Sequence, residues 1–109
     1  PRRLCEDARI VQLFKTHPLT VHHYTFKASL SILHTKPQIP IAQFDRVPIL
    51  VLHAHQDRLI PEQISQFYYQ MIPGKKKFVS IPDCGHVPVT REQVELHAQA
   101  LDQWFRKHS

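Results

Sequence analysis

The stretch Val47-Pro48-Ile49-Leu50-Val51-Leu52 limits the folds open to this chain more than any other. It is a nearly unbroken apolar run of strand length, with β-branched members. A strand with one wet face alternates apolar and polar residues. A run without alternation is buried on both faces, as in a parallel sheet covered by helices. Such a strand needs neighbours on each side and a helix above and below.

The residues that follow supply part of that setting. Residues 61–72 are predicted to form a helix, with Pro61 suited to its first turn. Ile64, Phe67, Tyr68, Met71 and Ile72 recur at the spacing of one helical face and give a broad apolar stripe. Pro73-Gly74 stops the helix, residues 77–81 (Lys-Phe-Val-Ser-Ile) read as a second strand, and Pro82-Asp83-Cys84-Gly85-His86 reads as a loop. Thr90 then caps a final helix, with Gln93 completing a capping box. Val94, Ala98, Leu101 and Phe105 are expected on its buried face with Trp104 flanking, and Arg106, Lys107 and His108 close it where cations suit the helix dipole. Strand, helix, strand, helix is the order of an α/β protein with a parallel sheet. Two strands make a poor sheet, so the rest of it must come from further sequence or a second chain.

Residues 1–45 have a different texture. Residues 6–15 are predicted to form a short helix with Ile10, Leu13 and Phe14 on one side, ended by His17-Pro18. Residues 25–34 are predicted to form another, with Phe26, Leu30 and Leu33 on one face. Pro37 and Pro40 then impose an extended connection.

Composition narrows the function classes. The chain has 109 residues, a length that suits one domain, and a formal net charge of +5 with nine histidines. The basic excess raises a nucleic-acid reading, but the only dense basic run is Lys75-Lys76-Lys77 beside a Pro-Gly turn, and no zinc-finger spacing or RNA-binding aromatic motif accompanies it. No apolar run approaches the roughly 20 residues needed to cross a bilayer, and no signal-peptide pattern opens the chain. The sequence begins at Pro1, not Met, and reads as a piece of something longer. Cys5 and Cys84 are too few for a disulfide framework, though a single bridge between them stays open; a reduced, cytosolic setting is the default.

Two residues stand out for chemistry. Asp57 follows the first strand and His86 follows the second. Both therefore sit at strand C-terminal ends, where open α/β sheets hold their ligand sites. If the strands are parallel neighbours, carboxylate and imidazole meet. The carboxylate then fixes the ring tautomer and stabilises the imidazolium formed when the ring takes a proton from a nucleophile. Other readings compete. Asp57 could simply cap its loop, and His86 could be a surface loop residue. Asp83 is better placed as a turn former than as an acid. His53, His55 and Asp57 alternate, so an extended backbone would align them as metal ligands. Cys84 as a nucleophile for His86 is disfavoured by their closeness in a tight loop. His22-His23 lacks metal spacing.

Residues 47–109 resemble the C-terminal end of an α/β-hydrolase. The resemblance lies in the ordered set: apolar strand, Asp57, helix opened by Pro61, strand, Gly85-His86 and closing helix. Acid before histidine, with serine earliest, is that family's order. Residues 1–45 resemble the stretch between cap and core in monoacylglycerol lipase and lysophospholipase-like members, through His17-Pro18-Leu19-Thr20-Val21-His22-His23 and the helix after it. His17 stands where that group often has aspartate, and Ala54 where relatives commonly have glycine. The resemblance implies a serine hydrolase of carboxylic esters, such as monoacylglycerol or lysophospholipid, in which Asp57 and His86 are triad acid and base and no cofactor is used. Gly74 and Gly85 are the only glycines, so no Gly-x-Ser-x-Gly is present and the chain alone is expected to be inactive. The rival from another class is a non-catalytic binding or assembly module derived from a hydrolase; a metal-binding domain is a third.

Overall fold

A computed structural model describes residues 7–108. It is a mixed α/β structure: helices α1 (Ala8–Thr16) and α2 (Phe26–His34), a 3-10 turn (Ile41–Gln43), strand β1 (Ile49–Ala54), helix α3 (Glu62–Met71), strand β2 (Lys76–Ile81) and helix α4 (Arg91–His108). The two strands form one parallel sheet, with Ile49 opposite Lys76 and Ala54 opposite Ile81. No helix among the described residues is long and apolar enough to cross a membrane.

The helix boundaries follow local chemistry. Asp7 caps α1, its carboxylate accepting the N–H groups of Arg9 and Ile10. The expected start at Glu6 lies outside the described residues. Thr25 caps α2 by accepting the Ala28 N–H at 3.1 Å. At α4 the capping box forms in both directions: Gln93 N–H donates to Thr90 Oγ1 at 3.2 Å, and Gln93 Oε1 accepts the Thr90 N–H at 3.1 Å. Pro61 and Ile72 flank α3 as caps and are not members of it.

The first strand begins two residues later than the apolar run and extends to Ala54. Pro48 has no N–H to give the ladder. The first bond is Ile49 N–H to the Lys75 carbonyl, and the pairing continues past Leu52 until His55 N–H meets the Ile81 carbonyl. In a parallel ladder alternate residues face the partner. Residues 49, 51, 53 and 55 of the first strand therefore face β2. The backbone groups of Leu50, Leu52 and Ala54 point to an edge that no other described strand covers.

The expectation of buried helix faces is not met within this chain. Among the described residues the buried set is only His53, Ile72, Ile81 and Cys84. Phe67 on α3 and Phe105 on α4 are 60% and 64% exposed. The reason is geometric: a two-stranded ribbon offers too narrow a surface to cover two apolar stripes. The radius of gyration is 16.4 Å, against roughly 13 Å for a compact domain of this length.

Candidate functional site

The two loops at the C-terminal ends of the strands are stitched together by short bonds. Gln56 N–H donates to the Cys84 carbonyl at 2.9 Å, and Gln56 Nε2 donates to Asp83 Oδ1 at 3.0 Å. Asp83 has φ of 47°, a left-handed conformation that aspartate tolerates better than most residues, so it is the turn former. Its carbonyl accepts from Gln93 Nε2 at 2.6 Å, which ties the loop to the first turn of α4.

These ties bring Asp57 and His86 together. His86 Nδ1 lies 2.8 Å from Asp57 Oδ2, and the carboxylate side chain is only 7% exposed. The other oxygen, Oδ1, accepts the N–H groups of Leu59 at 2.8 Å and Ile60 at 3.0 Å. Asp57 thus caps its own loop with one oxygen and takes the imidazole with the other. The two readings of this residue are not alternatives. Burial pushes its carboxyl upward, but the Ile60 N–H, the His86 ring and the Leu59 N–H together outweigh that and hold it below the usual aspartate value. An ionised acceptor at Nδ1 places the ring proton there and leaves Nε2 as the basic atom. No serine hydroxyl among the described residues is hydrogen-bonded to His86.

Beside the pair is a cleft of about 250 Å³, whose lining includes His53, Asp57, Ser65, His86 and His97. His97 Nδ1–H donates to the Gln93 carbonyl at 2.7 Å. His53 is 6% exposed and its Nε2 has no hydrogen-bond partner. Sequence reasoning missed Ser65 and His97. The signal for His97 was present: it lies one turn beyond Gln93, the residue that anchors the His86 loop.

The metal reading of His53, His55 and Asp57 is not supported. Their side chains diverge: His53 stacks on Phe78, His55 Nδ1 meets Glu62 Oε2 at 2.6 Å, and Asp57 meets His86. No group of three candidate ligands occurs among the described residues. Ser80 joins His55 and Glu62 and superficially resembles a triad. However, Ser80 Oγ lies 3.4 Å from the same Nδ1 that the carboxylate occupies, and donates to that carboxylate at 3.2 Å. Hydroxyl and carboxylate therefore compete for one nitrogen of the ring, and the cluster is a clamp between the sheet and the start of α3. Cys84 is a free thiol with no exposure. Burial pushes its pKa up, with the Asp57 charge adding to the effect, so it is a poor nucleophile. Cys5 lies outside the described residues.

Compared with protein-family models, curated proteins and solved structures, the chain matches none.

Proposed function

We propose that this chain supplies the acid and base of a Ser-His-Asp hydrolase, as the C-terminal part of an α/β-hydrolase fold whose serine lies outside the 109 residues. The observation that carries the reading is the Asp57 carboxylate, held by two backbone N–H groups and bonded to His86 Nδ1. In this reading His86 Nε2 takes the proton of the serine hydroxyl as that oxygen attacks an ester carbonyl. It returns the proton to the leaving alcohol, then activates water to open the acyl-enzyme. Asp57 holds the tautomer and stabilises the imidazolium. The substrate class is carboxylic esters, with monoacylglycerol or lysophospholipid as the favoured members, and the chemistry requires no cofactor.

The test is the coding sequence before residue 1. A Gly-x-Ser-x-Gly between a strand and a helix supports the reading, and so does ester hydrolysis by the extended polypeptide that drops about 10⁴-fold in Asp57→Asn. The 109-residue chain alone gives a blank rate with a chromogenic ester. An extended polypeptide without that motif, or hydrolysis indifferent to His86→Ala, overturns it.

The exposed apolar stripes favour a second reading, an assembly module that packs on a partner. Solution size discriminates: a monomer with a cooperative melt removes it.

A further inference from the structure

At the other end of the sheet from Asp57 and His86, separated by the roughly 20 Å length of a six-residue strand, lies an open groove of about 510 Å³. It runs between the start of β2 and the last turns of α4. Its cationic rim is Lys75, Lys77 and Lys107, and its wall is Trp104 and His108, whose rings lie 3.9 Å apart.

The sequence places these groups together by simple periodicity. Phe78 and Ser80 face α3, through Tyr69 and Glu62. Alternation therefore turns Lys77 to the opposite face of the strand, toward α4. On that helix Gln103, Trp104, Lys107 and His108 share one face.

Not every lysine there is unexplained. Lys76 Nζ donates to the Tyr69 carbonyl at 2.8 Å and the Gln70 carbonyl at 3.2 Å, and lies 4.7 Å over the Tyr69 ring, so it caps the end of α3. Lys75, Lys77 and Lys107 have no such task. Among the described residues none of the three pairs with a carboxylate, and no acidic residue lines the groove. The nearest acid on α4, Asp102, is engaged with Arg106 at 2.7 Å. The dipole of α4 offers only about half a negative charge at this end. Three unpaired ammonium groups around one concavity repel each other, and an anion relieves that repulsion.

We propose that this groove binds a phosphate-bearing anion, with Lys75, Lys77 and Lys107 contacting the oxygens and Trp104 and His108 as the adjoining wall. A concave site with a ring wall suits a discrete phosphate group better than an extended polymer backbone, which would require a longer track of charge. The inference is independent of the hydrolase reading.

Trp104 is the only tryptophan, so its fluorescence reports the groove directly. The 109-residue chain is titrated at constant ionic strength with inorganic pyrophosphate, and separately with phosphatidylcholine vesicles with and without phosphatidic acid. Saturation by pyrophosphate identifies a soluble phosphate ligand; a response to phosphatidic acid vesicles alone identifies a lipid headgroup. Either supports the site. Lys75→Gln/Lys77→Gln/Lys107→Gln weakens binding by about tenfold or more, with an unchanged far-ultraviolet circular dichroism spectrum. Lys15→Gln/Lys27→Gln/Lys36→Gln, which removes the same charge elsewhere, binds as the parent does. No saturable response to any probe overturns the proposal, as do titrations that superimpose on sodium chloride or equal losses in both triple variants.

Discussion

Substituting Asp57 separates its two roles. Asp57→Ala removes all three hydrogen bonds to its oxygens. The Leu59 and Ile60 N–H groups are at the surface, so water can replace their acceptor. Their joint loss should cost about 1 kcal/mol, as for loss of a helix cap. The His86 contact is partly buried and charge-assisted, worth about 1.5 to 3 kcal/mol. The total for Asp57→Ala is about 2.5 to 4 kcal/mol. Asp57→Asn keeps the acceptor for the two N–H groups and loses mainly the ionic partner of His86. It should cost about half as much. Urea unfolding gives both values, and nitrogen-15 NMR of the imidazoles gives the second signature: His86 protonated at Nδ1 in the parent and shifted toward Nε2 protonation in Asp57→Asn. Equal stability of the parent and Asp57→Asn, with the tautomer unchanged, refutes the reasoning.

Two further outcomes follow from the same loops. The native carboxyl of Asp57 is lowered, so the unfolded state binds protons more readily between the native value and the ordinary aspartate value of about 3.9. Its stabilisation is therefore complete above that ordinary value and fades as pH falls through the native one. An acid titration followed by circular dichroism should show the parent losing more stability than Asp57→Asn over that range, and coincident curves would refute the assignment. Gln93→Ala removes the acceptor for the Val89 and Thr90 N–H groups and the donor to the Asp83 carbonyl. It should cost about 1 to 2 kcal/mol in urea, more than Thr90→Ala, and it should broaden the His86 NMR signals, which Thr90→Ala should leave sharp.

Much of the frame was legible in the sequence. The apolar run, the prolines and the Thr90 to Gln93 spacing placed β1, α3 and α4 because each is a local signal. The strand's true bounds were not, because they depend on which β2 residue lies opposite, a register that no local pattern states. Asp57 and His86 could be paired in advance since two parallel neighbouring strands leave their C-terminal loops adjacent. The positions of His55, Glu62 and Ser80 could not: alternation suggested that His53, His55 and Asp57 align, but the chain turns after Ala54 and sends each to a different partner. The grouping of Lys77 with Trp104 also depends on how α4 crosses the sheet.

The two borders of the ribbon are unlike. The border along β2 carries Lys76, Phe78 and Ser80, whereas the border along Leu50, Leu52 and Ala54 has no charge. Joining the first border to the second is a heterologous union open to further addition, and a lysine on that border opposes it. Two bare borders can meet only about a twofold axis, with the strands antiparallel. That union is self-limiting: a pair joined through the Leu50, Leu52 and Ala54 border stops at two, because it consumes the uncharged border of both copies.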